Sequence, residues 1–532
     1  MRRKLTALLL CLMMAASLVP QVAAAEPEAQ SLLPYTGEPI TLRIMGWESY
    51  AQPKADSMFG KWLQEKLGNI TLEFEIPASD TETLLNLYLS TGDDMPDIML
   101  YRKPDMFMEN YGDGSRTLNL KDYAQYMPEF TARRDVYSHL TWYDTQDGDY
   151  YMYFPCWYNA ISEVWFQNQT LMDKYGLQAP ENWEEMRACM ETVCAAEPNV
   201  DGMMFLPWQF EYIFGGFSAL FGTRSISPAE VMYDYEKGQW VHALLSNEEA
   251  YKKAITAMAE AYAKGWINAD FNTWSDAYDA KMNNGEWLFT SSYYNGATTY
   301  VENGLDVTFI QSPADEGVTP YVSAHNNEDS VGWIYMISNT SQYPELSCAI
   351  LELIGSEEYA VAAYWGVEGE SYTVGADGKR AYTEAYLNTA LKDRETAFGI
   401  ARNPTYTTDP FVSNYYVGDA LCAGYAKPSL DALIACAAGL SDGTMETYYY
   451  AQKPLMDVYD AEDCALVVNA WKTYILENMI RFVLGTKDLG EWDAFMAGLN
   501  QYGDMDKVLR IYNEAPQMPL RKQQSERTWL LP

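Results

Sequence analysis

Histidine is almost missing from this chain: His139, His242 and His325 are the only three among 532 residues. They stand far apart, without the His-Glu-x-x-His spacing that sets two imidazoles on one helix face for zinc. No metal site is expected from them. Cysteine is sparse too. There are eight, none in a Cys-x-x-Cys pair, and loss of an N-terminal leader would take Cys11 and leave seven. Seven cannot all pair with one another, so mostly free, buried thiols are expected rather than a disulfide framework. Basic residues are outnumbered, with 36 Lys and Arg against 74 Asp and Glu and a net charge of −38. A surface of that sign repels phosphate backbones and anionic lipid, which excludes nucleic acid and the membrane surface as expected partners. No internal repeat or low-complexity tract is visible, which leaves a repeat-built adhesin without support.

The amino terminus has three parts. Met1-Arg2-Arg3-Lys4 is basic, Leu5 to Ala16 is apolar, and Ala23-Ala24-Ala25 offers small residues for cleavage before Glu26. That order reads as a secretory signal peptide, since an apolar run of ~12 residues falls short of the ~20 that cross a bilayer. No later run is long enough to span. The mature chain is therefore expected to begin near Glu26 and to be exported, either extracellular or associated with the cell surface. Cys11 lies inside the apolar run, preceded by Leu8-Leu9-Leu10 rather than by a small residue, so no lipid anchor is expected there. With 48% hydrophobic residues the chain is globular, and at ~100–200 residues per domain it should hold two or three domains.

Periodicity gives the architecture. Ile40 to Met45 alternates as a strand, Met58 to Leu67 repeats as a helix, Ile70 to Ile76 alternates again, Thr81 to Ser90 returns to helix, and Asp97 to Leu100 is a short apolar strand. Strand, helix, strand, helix, strand implies a parallel α/β sheet, whose ligands sit beyond the carboxyl ends of the strands. The loops at Gly46–Tyr50 and Tyr101–Pro104 are then candidate cleft walls. Asp377-Gly378 signals a tight turn between two short strands.

Aromatics are plentiful: 42 Tyr and 16 Trp, 14% of the chain with Phe included. A sugar presents apolar C–H faces and hydroxyl edges, so a cleft for it wants rings to stack on and carboxylates or amides to hydrogen-bond. The expected ligand-binding residues cluster where strands end: Trp47, Glu48 and Tyr50; Trp157 and Tyr158; Trp208; Tyr293, Tyr294 and Asn295; and Trp365, Glu368, Glu370 and Tyr372. For any single ring, packing is the commoner role; the clustering is what favours several contacts. No catalytic residue is expected, and a serine-hydrolase elbow is not. Asp144, Asp147 and Asp149 break the calcium-loop order and read as a solvated acidic turn. Asp97 reads as a structural carboxylate. A glycosidase-like pair of carboxylates remains the alternative, because carboxylate separation is not a property of sequence.

Several segments carry a family resemblance. Leu89 to Ile98 resembles a Ser-Gly-x-x-Pro-Asp-Ile element, and Asp147 to Pro155 resembles a strand entering a second lobe. Trp165 to Trp183 is similar to a Tyr-Asn-Lys…Gly-Leu…Pro-x-Thr-Trp stretch, with Gln169 for lysine and Asn182 for threonine at capping positions. Ala277 to Tyr294, Gly332 to Ile354, Trp365 to Arg380 and Phe482 to Phe495 continue the likeness. Together they resemble the family 1 extracellular solute-binding proteins, the capture subunits of ABC importers, above all the large Gram-positive forms. The resemblance implies a two-lobed α/β fold of the type II periplasmic-binding-protein kind, with an interlobe cleft and a helical C-terminal extension. It puts the N-terminal lobe at 26–155 plus 320–365 and the C-terminal lobe at 156–319 plus 366–532. It further implies a monomer without cofactor that binds a small solute, a saccharide first among the choices, and meets ABC transporter permease subunits.

Overall fold

The computed structural model describes residues 32–517 apart from 47–53, 155–159, 206–209, 326–333, 401–423, 448–450 and isolated positions between them. The leader with Cys11, the candidates Trp47, Glu48, Tyr50, Trp157, Tyr158 and Trp208, and the thiols Cys156 and Cys422 lie outside the described residues.

Strand β1 (Tyr35–Met45) leads to helix α1 (Met58–Leu67), followed by β2 (Gly68–Glu75), α2 (Thr81–Thr91) and β3 (Ile98–Tyr101). Ser57 starts α1, its Oγ accepting from the Gly60 N–H at 2.9 Å, and Phe59, Leu63 and Leu67 share the buried face. β1 runs parallel to both β2 and β3, as the alternation of strand and helix requires.

A short strand β4 (Ala160–Ser162) precedes β5 (Val164–Asn168). Then come α3 (Trp183–Ala196), β6 (Asp201–Phe205), the hairpin β7 (Val231–Asp234) and β8 (Gln239–His242), and α4 (Glu248–Ala263). Asn182 caps α3 by accepting from the Glu185 N–H at 3.0 Å, the capping role expected at that departure from the family pattern. β9 (Trp287–Ser292), α5 (Gly296–Glu302) and β10 (Val307–Ile310) complete a second sheet of order β10-β5-β9-β6. β6 is parallel to β9, whereas β5 is antiparallel to β9 and β10.

The return passes through β11 (Ser323–His325), which pairs antiparallel with β4. The outgoing and returning connections between the two sheets thus lie side by side. β12 (Ile334–Ile337) then closes the first sheet in the order β12-β3-β1-β2, antiparallel to β3. Helix α6 (Pro344–Ile354) follows, and a short helical run ends at Trp365. β13 (Tyr372–Val374) and β14 (Arg380–Tyr382) form the hairpin expected around Asp377-Gly378, with Gly378 at φ +80°. Of the helices that follow, the four longest are α7 (Leu391–Phe398), α8 (Lys427–Asp442), α9 (Val458–Val483) and α10 (Met505–Glu514).

Two large apolar clusters fill the described chain. Tyr372, Tyr382, Tyr386, Ile400 and the buried side of α8 belong to the cluster that holds the first sheet together with Phe166, Trp287 and Val307 of the second. From Ala451 to Tyr512 the buried residues join the cluster around α3, α4 and the second sheet. The five described cysteines, Cys189, Cys194, Cys348, Cys436 and Cys464, are unpaired. Among the described residues no helix is long and apolar enough to cross a membrane.

Candidate functional site

Strand direction decides which loops can share a site. In the second sheet Val164 at the start of β5 pairs with Ser292 at the end of β9, and Phe205 at the end of β6 pairs with Ser291. One edge therefore receives the chain entering β5, leaving β6 and leaving β9. Those three connections carry Trp157 and Tyr158, Trp208, and Tyr293 to Asn295 in the sequence. In the first sheet β1, β2 and β3 end on a common edge, and Trp47, Glu48 and Tyr50 follow β1.

The described candidates divide by exposure. Tyr293 is 42% exposed and Asn295 half-buried, while Glu368 and Glu370 stand exposed on the turn before β13. Tyr294 is 5% exposed, its ring edge-on to Tyr425 at 5.3 Å and its hydroxyl 3.1 Å from the Tyr425 hydroxyl. Beside it Thr298 Oγ1 accepts from the Ala426 N–H and meets Ser429 Oγ, both at 3.0 Å. Tyr294 is thus a fastener between the β9 loop and α8. Burial pushes the nearby Tyr300 phenol up to about 12, which keeps it neutral.

Trp365 and Tyr372 correct the sequence reading. Both were expected to face a ligand, and the structure packs them inside: Trp365 is 1% exposed and Tyr372 7%. The cause is the hairpin. Gly366 turns the chain at φ +86°, and β13–β14 folds back so that Tyr372 and Tyr382 lie 5.6 and 4.6 Å from the Trp365 ring. Tyr382 stacks on Tyr386 at 3.9 Å, and burial first, then Tyr386, pushes its phenol well up.

Sequence reasoning missed a cavity. Lys54, Asp56 and Ser57 before α1 face Glu395, Thr396, Gly399 and Ile400 at the end of α7 across about 190 Å³ of space. Lys54 Nζ lies 3.2 Å from Glu395 Oε1, and the Phe59 N–H donates to the Gly399 carbonyl at 2.9 Å. Ile400 packs against Gly366, where a Cβ would come within 3.0 Å of its Cγ2. Gly366, the residue after Trp365, thus backs the Ile400 side of this cavity. The walls come from segments far apart in sequence, and no local pattern announces their meeting.

Two other expectations meet direct observations. Asp97 is structural, its carboxylate accepting from the Arg43 N–H at 2.9 Å and from the Ser341 hydroxyl at 2.6 Å. The acidic turn is held by cations rather than simply solvated. Arg134 grips both oxygens of Asp144 at 2.6 Å, and Lys121 Nζ donates to the Asp147 carbonyl at 2.8 Å and to Asp149 Oδ1 at 3.0 Å. Among the described residues no group of His, Cys, Asp and Glu could hold a metal ion. The sequence does contain one Gly-x-Ser-x-Gly string, Gly439 to Gly443. It lies at the end of helix α8, with Ser441 Oγ donating to the Ala437 carbonyl at 2.8 Å. That is no strand-to-helix elbow.

Two sheets with their strand ends turned to loops, joined by paired connections and followed by a helical C-terminal region, define a periplasmic-binding-protein-like α/β fold. Residues 47–361 match the model of the bacterial extracellular solute-binding protein family, and the chain belongs to that family. Solved structures share the fold. Alginate-binding protein AlgQ2, described as without calcium ion, is 18% identical with TM-score 0.69 over 90% of this chain and 98% of its own. An HMO-binding, ABC-transporter-associated solute-binding protein from Bifidobacterium longum infantis is 17% identical with TM-score 0.65 over 90% and 98%. The FusA substrate-binding protein of S. pneumoniae, an EF-hand mutant in complex with fructo-nystose, is 15% identical with TM-score 0.63 over 89% and 98%. No curated protein sequence matches the chain.

Proposed function

We propose that this chain captures a carbohydrate or oligosaccharide outside the cell and delivers it, chemically unchanged, to the permease subunits of an ABC importer. The observation that supports this most is the family match over residues 47–361, in a chain whose second sheet has the start of β5 beside the ends of β6 and β9. Rings at strand ends suit the C–H faces of sugars, and Asn295, Glu48, Glu368 and Glu370 suit their hydroxyls. Neighbours described with alginate, HMO and fructo-nystose point the same way. The leader would export the chain, and the paired β4 and β11 connections would act as its hinge.

Native mass spectrometry of freshly purified protein tests the proposal. A co-purifying saccharide recovered intact after long incubation is the expected result. Recovery of cleaved saccharide would instead make the chain a glycan-active enzyme.

A further inference from the structure

The cavity between Lys54–Ser57 and Glu395–Ile400 has the chemistry of a binding pocket. Its floor is apolar, Ile400 with Gly399, and its walls are polar. Two wall groups face each other, Lys54 Nζ and Glu395 Oε1 at 3.2 Å. Ser57 is occupied as well, donating to the Lys54 carbonyl at 2.6 Å and accepting from the Gly60 N–H at 2.9 Å. Two groups are left over. Among the described residues neither the Asp56 carboxylate nor the Thr396 hydroxyl has a partner, and they belong to opposite walls. In sequence the pocket is joined directly to the candidate cleft loop, with Tyr50 four residues before Lys54.

We infer that this cavity is a subsite for one neutral, hydroxylated ring of the ligand. The inference rests on the carbohydrate-binding reading and narrows it. Size sets the first limit: about 190 Å³ is below the ~300 Å³ at which drug-sized pockets begin, room for a single pyranose or furanose and no more. Polarity sets the second. An apolar floor with an acceptor on one wall and a donor-acceptor hydroxyl on the other matches a ring that has a C–H face and an –OH rim. Charge sets the third. Lys54 and Glu395 neutralise one another, so a ligand carboxylate would meet no free cation, would face Asp56, and would lose its hydration uncompensated. Uronate rings are therefore disfavoured and neutral ones fit.

Titration calorimetry on the full chain tests this with defined probes. These are maltotriose, mannotriose, xylotriose and kestose, the disaccharide of each series, and an alginate trisaccharide as the acidic member. The variant Thr396→Phe fills the cavity from an exposed helix position, and Asp56→Asn removes the free charge from an exposed loop with little effect on folding. A neutral trisaccharide should bind the wild type. Thr396→Phe should weaken it tenfold or more while leaving its disaccharide within twofold, and Asp56→Asn should weaken it severalfold. If Thr396→Phe proves unstable in a thermal melt, Asp56→Asn decides alone. Wild-type binding that both variants reproduce overturns the subsite and leaves the carbohydrate reading standing. Preference for the acidic trisaccharide overturns the assignment to neutral rings. A wild type that binds none of the probes overturns the carbohydrate reading, and the subsite with it.

Discussion

Two tryptophans from one sequence argument now carry opposite expectations. Trp365 is enclosed by Tyr372 and Tyr382, so Trp365→Ala should cost about 3–5 kcal/mol of stability, as large-to-small changes in a core do. Trp47 follows the first strand at the proposed cleft, and Trp47→Ala should cost about 1.5–3 kcal/mol of affinity, the worth of burying a large apolar side chain, with little change in melting. Melts and titrations on both variants separate the two roles; equal melting losses would return Trp47 to the core. His242 offers a second test. It is fully buried against Trp471, with neither ring nitrogen hydrogen-bonded, and burial lowers its pKa from 6.5 to about 3. The folded state thus holds the imidazole neutral while the unfolded chain protonates it below 6.5. The stability due to neutrality is present above pH 6.5 and is lost as pH falls toward 3, at up to about 1.4 kcal/mol per pH unit. His242→Leu should flatten that part of the acid limb in melts between pH 7 and 4. An unchanged limb would mean that carboxylates alone set it.

Elements differ in how much of their setting can be read locally. The bounds of α1, the α2 start and the β13–β14 turn follow from caps, period and Asp377-Gly378, all within a few residues of chain. The side on which Trp365 ends up does not, because it depends on a hairpin folding back, and the cavity depends on α7 meeting the start of α1. Two ion pairs of similar appearance in sequence show the same point. Arg394 of α7 is 5% exposed in its side chain, lies 3.3 Å from Glu302 at the end of α5, and donates to the Thr389 and Leu387 carbonyls. Arg380 and Glu357 pair at 3.0 Å with 32% and 56% exposure. Glu302→Gln leaves a guanidinium charge buried and should cost about 3 kcal/mol. Glu357→Gln should cost no more than about 1 kcal/mol, as exposed pairs do. Denaturant titrations of the two variants check the ranking, and equal losses would mean that Arg394 is satisfied by its carbonyls alone.

At the scale of the whole molecule, the β4–β11 pairing bears on motion. Ser323 opposite Ser162 and His325 opposite Ala160 tie the outgoing and returning strands together in one ribbon. In the proposed hinge reading, such a ribbon would resist sliding of one sheet past the other and leave rotation about itself as the soft direction. The segment between Trp365 and Ile400 adds a second link, since its rings pack in a cluster that holds residues of both sheets and Arg394 reaches Glu302 beside the second sheet. Such a rotation would carry α7 and α5 together or break that pair. If ligand capture closes the molecule about the ribbon, saturating saccharide should lower the radius of gyration in small-angle scattering. Glu302→Gln, which loosens the second link, should change the ligand-free radius more than the ligand-bound one. Ligand that binds tightly without changing the radius in either protein would mean that the paired connections hold the sheets fixed and that capture needs no hinge.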